Sequence, residues 1–413
     1  MTELRHRSAV SPLRRAVAGR AVRPAARPLV DEVVRAHRPD EPLHCLRPTV
    51  LAAAAEAFVA AFPGDVLYAV KCNPEPAVLR ALWAGGVRHF DCASPAEIRL
   101  VRQLFPDASV HYMHPVKARS AVRSAWRDHG VRDFSLDSAE ELERIVAEVG
   151  DAQGLGLFVR LTPPKAETMY DLSGKFGATP EAAVGLLRRA RAVADRVGIC
   201  FHVGSQCMEP AAYARAIALA AEVAAAAGVA IDVLDVGGGF PVSYPDVTPP
   251  ALALYMREIA GAFAASGLPA GCRLWAEPGR ALVAPGVSVV VQVQHRRDDA
   301  LFINDGVYGS LSDAGAPRFR FPARLIRPDA AAGPPTTAFR LFGPTCDSAD
   351  RMDGPFLLPA DMREGDWIEI GQLGAYGAAL RTAFNGFDQA RIVEVRDRPL
   401  IETPGYGAIA VAA

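Results

Sequence analysis

"VLYAVKCNPEP", residues 66–76, sets a short apolar run against a polar, proline-punctuated break, and an alanine- and leucine-rich stretch follows. A run bounded in this way reads as a buried strand that passes into a helix. The same unit recurs downstream at "VRHFD" (87–91), "SVHYM" (109–113), "VRDFSL" (131–136), "GLFVR" (156–160), "GICFHV" (198–203), "IDVLDV" (231–236) and "RLWAE" (273–277). Helical patterns fill the gaps, for instance 138–149 and 180–197. The first of these opens on Asp137 and Ser138 as cap candidates, with Glu140 and Glu141 near the positive helix end. Eight strands separated by helices predict a parallel α/β arrangement, and eight is the number that closes a TIM-type (β/α)8 barrel. An open doubly wound sheet is the competing architecture.

After Pro278 the texture changes. "VSVVVQVQHRR", "ALFINDGVYG", "TAFRLFGPTC", "DWIEIGQLGAYG" and "ARIVEVRDRP" alternate like strands and leave little room for helices. The expected organisation is therefore an α/β barrel over 42–283 and a C-terminal β-rich domain over 284–413. "PLHCLR" (42–47) is a leading strand for the latter, and 316–337 reads as loop toward its C-terminal part. Residues 1–41 form an arginine-rich arm, expected to be flexible, with a transit peptide as the less favoured alternative.

Composition removes several function classes. The chain has 413 residues, half of them hydrophobic, and a formal net charge of −1. That balance argues against nucleic acid as a partner, and no basic patch with interleaved aromatics is present. No apolar run reaches the roughly 18 residues that a membrane helix needs. The seven cysteines are scattered without a CxxC pair or a zinc-ligand spacing, so no metal site is expected. Free thiols and no signal-peptide pattern point to a reducing cytoplasm.

Catalytic residues of a parallel barrel gather where its strands end. The residues there are Lys71, Asp91, Arg160, His202, the glycine turn Gly237–Gly239 and Glu277. Each has a plainer reading by itself: a surface lysine, a capping acid, a core histidine, a tight turn, a Glu277–Arg280 ion pair. Lys71 stands out because only 4 of the 45 basic residues are lysines: Lys71, Lys117, Lys165 and Lys175. An amine leaving an apolar strand is expected to have a lowered pKa and to form a Schiff base, which a guanidinium cannot. The glycine turn exposes backbone N–H groups to an anion, with Ser205 nearby, but it is not GxGxxG, so a dinucleotide fold is disfavoured. Glu277 would pair with a pyridinium nitrogen and Arg280 with a phosphate. An imine-forming amine, an anion cradle and a counter-charge for a ring together match the needs of pyridoxal phosphate.

"YAVKCN", "FDCAS", "FHVGSQ", "DVGGGFP", "AEPGR", "NDGVYGS", "GPTCDSAD" and "GAY…FNGF" recur in order from about residue 42 to 390. In these motifs the chain resembles the ornithine decarboxylase-like group of fold-type III pyridoxal-phosphate decarboxylases, which act on ornithine, lysine, arginine or diaminopimelate. The resemblance implies an alanine racemase-like barrel plus β domain, pyridoxal 5'-phosphate as cofactor, and a head-to-tail homodimer with shared active sites. It implies that Lys71 links the cofactor, that Glu277 keeps the pyridine nitrogen protonated and that His202 stacks on the ring. Ser205, Gly237, Gly238, Gly239, Arg280 and Tyr376 would bind the phosphate, with Asp91 and Arg160 as supporting polar residues. Cys346 would come from the partner subunit to reprotonate the α-carbon. Asp347, Tyr308 and Phe384 would line the substrate side, with Asp347 meeting the distal amine of ornithine.

One departure bears on the substrate. Relatives acting on ornithine or lysine follow "VYGS" with a segment ending in Tyr-Asp-His. Here the text runs "VYGSLSDAGAPRFRF", with Pro317 at the position of that acid, Arg318 next to it and Asp313 four positions early. The first expectation is an ornithine/lysine-type decarboxylase of polyamine synthesis. The alternative is a decarboxylase for a modified or acid-bearing amino acid, with Arg318 meeting a distal carboxylate. Arg381 is a second unexpected cation. An inactive regulatory homologue and a racemase are less favoured, since Lys71, Glu277, Arg280 and Cys346 are all retained.

Overall fold

Alternate residues of a strand face opposite sides of its sheet, and in this chain the inward set stays in phase around a closed barrel. The computed structural model describes residues 27–150, 153–170, 174–329 and 336–402. Eight parallel strands close on themselves: β1 (Asp65–Ala69), β2 (His89–Asp91), β3 (Ser109–Tyr112), β4 (Asp133–Leu136), β5 (Gly156–Arg160), β6 (Arg196–Cys200), β7 (Val233–Asp235) and β8 (Arg273–Ala276). Closure by the β8–β1 and β6–β7 pairings excludes the open sheet.

Helix starts follow from local chemistry. Pro48, Pro76, Pro95 and Pro180 each stand in the first turn of a helix, where a missing N–H costs nothing. Ser94, Ser138 and Thr179 cap three helices by accepting from Glu97, Glu141 and Ala182 N–H groups. The helix expected over 180–197 ends at Val193, because Arg196 already belongs to β6.

The barrel interior is layered. Leu67, Met113, Phe158, Cys200, Val233 and Trp275 form a dry middle plug, with the Phe158 and Trp275 rings stacked 5.0 Å apart. Gly198 leaves room for Phe158, since a Cβ there would stand 2.6 Å from its ring. The plug separates two polar ends, so side chains at the strand C-termini do not touch those at the N-termini.

The second domain is a curled sheet of β9 (Val287–Arg297), β10 (Ala300–Ile303), β11 (Ala323–Ile326), β12 (Thr336–Phe342), β13 (Arg351–Pro359) and β14 (Trp367–Ile370), in the order β11-β14-β9-β10-β12-β13. Leu43–Leu46 joins it antiparallel to β9, as expected for a leading strand. β11 lies inside the segment 316–337, and β13, with Gly354 and Pro355 at its centre, is a strand that the alternating runs did not include. Residues 30–37 correct the expected 1–41 arm. They form a helix whose Val30, Val33 and Val34 bury against Val290, Ile326 and Trp367, an apolar face that no flexible arm would cover. Residues 1–26 lie outside the described residues. Among the described residues no helix is long and apolar enough to cross a membrane.

Candidate active site

The inward phase of the barrel carries one step past the strand ends to Lys71, His202, Gly237 and Glu277, with Asp91, Arg160 and Asp235 one layer below. Lys71, Arg160, His202, Ser205, Gly238, Gly239, Phe240, Glu277, Arg280 and Tyr376 line a single cleft of about 570 Å³.

The Lys71 ammonium stands 3.3 Å from Asp91 Oδ2, and Asp91 is 2 % exposed with no partner for its Oδ1 among the described residues. The expected lowering of the Lys71 pKa is not found. Asp91 raises it well above the ordinary lysine value, against the desolvation that burial imposes and with Glu277 adding to the rise. The neighbouring carboxylate outweighs burial because it lies within contact distance of an amine whose side chain is still 45 % exposed to the cleft.

At the other side Glu277 and Asp235 form a coupled pair of acids. Burial, then the Asp235 and Asp91 charges, push the Glu277 carboxyl well above the usual carboxylate range. Burial likewise raises Asp235, to about 6, although the Gly237 N–H donates to its Oδ1 at 2.8 Å. Two buried carboxylates this close cannot both stay ionised, so the pair holds a proton. Asp235 is a site residue that the sequence reading passed over; its place directly before the glycine turn was the available signal.

His202 is held neutral. Its Nδ1 accepts the Gly204 N–H at 3.0 Å, which leaves the proton on Nε2, and burial followed by Arg160 and Lys71 lowers its pKa to about 3. Gly237 and Gly239 adopt φ of +68° and +103°, and a Cβ on Gly237 would stand 2.0 Å from the Phe201 carbonyl. The turn therefore requires glycine. A Cβ on Gly238 would meet the Glu277 carbonyl at 2.8 Å and His202 Nε2 at 3.0 Å.

Arg280, 7 % exposed, donates to Tyr244 Oη at 2.8 Å and to Asp313 Oδ2 at 3.0 Å, while its buried Nε has no partner among the described residues. Its guanidinium lies 5.1 Å from the Tyr376 ring and 4.8 Å from that of Phe319. The plainer reading of a Glu277–Arg280 ion pair is thereby replaced by Arg280–Asp313. Sequence reasoning did not find Tyr244, which reaches Arg280 from a loop 36 residues away.

The remaining predicted residues lie elsewhere. Cys346, the one exposed cysteine, does not line the Lys71 cleft. Its N–H donates to Asn385 Oδ1, and beside it the Tyr308 hydroxyl donates to Asp347 while the Tyr308 and Phe384 rings stand 4.9 Å apart. The Ala349 N–H, then the Tyr308 hydroxyl, lower the Asp347 pKa, so it is a carboxylate. Arg318 is exposed at φ +57° and does not line the cleft. Arg381 donates to Asp305 and Ser310 at 2.9 and 2.6 Å, which makes it a brace within the sheet domain.

Comparison with known proteins agrees with this geometry. Residues 49–284 match the pyridoxal binding domain of the pyridoxal-dependent decarboxylases, and residues 281–374 match their C-terminal sheet domain. The chain is 33% identical to a lysine/ornithine decarboxylase of Selenomonas ruminantium over 343 residues, 81% of this chain and 84% of that protein. It is 33% identical to the ornithine decarboxylase of Mus musculus over 365 residues, 81% of this chain and 76% of that one. Among solved structures, an arginine decarboxylase of Paramecium bursaria Chlorella virus superimposes with a TM-score of 0.79 at 28% identity, covering 89% of this chain and 99% of that one. A lysine/ornithine decarboxylase of Vibrio vulnificus complexed with putrescine gives 0.76 at 32% identity, covering 89% and 97%.

Proposed function

This chain belongs to the pyridoxal-dependent decarboxylases of the ornithine, lysine and arginine type, and from that premise we propose that it decarboxylates an L-amino acid with a distal ammonium group. Its cofactor is pyridoxal 5'-phosphate. When bound, that group supplies a sink for the electron pair left behind as CO₂ departs. The cleft fits it: a buried Arg280 N–H with no partner among the described residues and a glycine turn open to an anion lie across from an amine and a proton-bearing carboxyl.

The convergence of Lys71, Glu277, Arg280 and the glycine turn on one cleft carries this reading. Lys71 is the amine that holds the cofactor, and Asp91 Oδ2 both anchors its ammonium and is the nearest acceptor for its proton. Glu277, protonated at rest, has a proton to share with the ring nitrogen, and the buried Asp235 keeps that proton in the pair. The neutral His202, held by Gly204, offers a flat, uncharged face to the ring. Arg280, Gly238, Gly239, Ser205 and Tyr376 bind the phosphate, and Arg160 supports the polar side of the cleft. Replacing Gly238 by alanine is expected to weaken cofactor binding roughly tenfold to a hundredfold, the equivalent of about 1–3 kcal/mol of overpacking. An absorbance titration of the cofactor-free variant that matches wild type would remove Gly238 from the cradle.

Cys346 and Asp347 act, on this reading, in the cleft of a second copy of the chain. Support comes from the exposure of Cys346, and from Phe384, an apolar side chain 41% exposed whose ring stands against Tyr308 beside Asp347. Asp347 has no cationic partner among the described residues, so a substrate ammonium would meet a carboxylate ready to receive it. Putrescine and cadaverine, the ligands of the Vibrio vulnificus structures, are amines of this kind.

Asp313 favours a second reading. It is tied to Arg280, so the loop after "VYGS" offers no free acid as a second contact for an ammonium. An amino acid with a distal carboxylate or a larger polar group, met by Arg318 on rearrangement of the loop, would tolerate that loss. CO₂ release by the loaded enzyme separates the two. Turnover confined to ornithine, lysine and arginine supports the first reading, and preference for acid-bearing amino acids overturns it.

A further inference from the structure

The end of the barrel remote from Lys71 carries a second set of charges that the reaction does not use. His89, Arg102, His111, Arg132, Asp133, Arg196, Arg273 and Trp275 surround an open cavity of about 640 Å³ at the strand N-termini. A linear chain of contacts crosses its floor. Trp275 Nε1 donates to Asp65 at 2.9 Å, and Asp65 Oδ1 stands 3.7 Å from His89 Nε2. His89 Nδ1 lies 3.1 Å from His111 Nε2, and His111 Nδ1 lies 2.8 Å from Asp133 Oδ2. Asp133 in turn receives Arg196, and Asp65 receives Arg273. Gly156 is what allows this, since a Cβ there would stand 2.1 Å from Asp133 Oδ1.

The charges do not cancel. Four guanidiniums face two carboxylates, and each guanidinium keeps N–H groups that no described residue accepts. Arg102 uses Nε and Nη1 on backbone carbonyls, and Arg132 uses Nη1 alone while stacked 4.1 Å over Trp126. Arg196 spends Nε and Nη2 on Asp133, and Arg273 spends Nη2 on Asp65. An excess of two positive charges around a cavity, with unused donors on several sides, is the electrostatic complement of a dianion. Among the described residues no acid and histidine cluster is placed to hold a metal ion.

The geometry points to an anion site at the N-terminal mouth of the barrel, binding the dianionic phosphate group of a small phosphate compound, with His89 as an adjustable charge in its floor. Hydrogen-bond accounting shows how the adjustment works. His111 Nδ1 must donate to Asp133, so a neutral His111 accepts at Nε2 from His89 Nδ1. A neutral His89 then presents a lone pair toward Asp65, and one added proton on Nε2 makes the pair an ion pair at 3.7 Å. His89 is uncharged at neutral pH, lowered to about 4 by burial and then by His111, with Asp65 opposing and Arg273 adding to the fall. A dianion among Arg102, Arg132, Arg196 and Arg273 favours the protonated form, so binding and proton uptake reinforce one another.

Sulfate is the cleanest probe, because it stays a dianion wherever the protein is folded, and the cofactor-loaded holoenzyme has its active-site phosphate pocket filled. Calorimetry is expected to show one saturable sulfate per chain, bound roughly fivefold or more tightly near pH 5.5 than near pH 7.5. Arg273→Gln, at the exposed rim, and Arg132→Gln are each expected to weaken it by about tenfold. Inorganic phosphate and adenosine monophosphate then separate the sources: equal affinity assigns a free oxyanion, and tighter binding of the nucleotide assigns a phosphate ester. Absence of saturable sulfate binding to wild-type holoenzyme overturns the proposal, as does binding that neither variant weakens.

Discussion

Replacing Lys71 by alanine is expected to lower CO₂ release by more than about a thousandfold, the upper range for a group acting at the reacting atoms, and to abolish borohydride trapping of the cofactor on the protein. The rival amine is Lys117, which burial lowers to about 8 and which is therefore the easier of the two to deprotonate. It is nonetheless enclosed: its Nζ donates to the His114 and Ser135 carbonyls at 2.9 and 2.5 Å and pairs with Glu141 at 3.0 Å. Lys71 has the higher pKa but is the one that faces the cleft. Access outweighs ease of deprotonation here, because Lys71 lines the cleft and Asp91 can accept the proton that Lys71 must lose, whereas Lys117 is 3% exposed and closed in by its partners. Borohydride label retained on Lys71→Ala protein, and mapped to Lys117, would reverse that judgement.

The second large effect concerns Cys346. Cys346→Ala is expected to keep the cofactor bound and to reduce turnover by about 10²–10⁴-fold, as for loss of a positioned proton donor. The informative experiment combines the two inactive variants. If each cleft takes Lys71 from one chain and Cys346 from another, random reassociation of Lys71→Ala with Cys346→Ala chains makes half of the dimers mixed. Each mixed dimer has one intact cleft, so about a quarter of wild-type activity returns. Activity that stays at the sum of the two variants would mean that Cys346 serves no partner's cleft, and that the half-exposed face of Tyr308, Asp347 and Phe384 has another use.

Much of this architecture was legible before any coordinates, for a definite reason. Parallel strands buried on both faces are written as apolar runs, and their helices begin at prolines and capping hydroxyls, so β1 to β8 can be read locally. Lys71, Asp91, Arg160, His202 and Glu277 were found because they lie at or just past the ends of such runs, and inward parity then brings them to one rim. Strand β13 lay outside the alternating runs, and the local preference of its Gly354 and Pro355 for turns is overridden by pairing along the whole length of β12. The helix at 30–37 was lost because eight residues give too short a period to distinguish from an arm, and what holds it is the apolar face of β9 far along the chain.

By itself, then, the sequence determined the eight barrel strands, their order and the identity of most residues on the rim, because each of these follows from neighbours within a few positions. The protonation of those residues was decided by tertiary structure alone. Lys71 is raised because Asp91 arrives beside it, Glu277 keeps its proton because Asp235 shares its burial, and Asp313 is spent on Arg280 across a domain boundary. Charge interactions act through space and depend on what burial removes from water. Groups separated by tens or hundreds of residues therefore acquire their chemistry only when the fold brings them within a few ångströms.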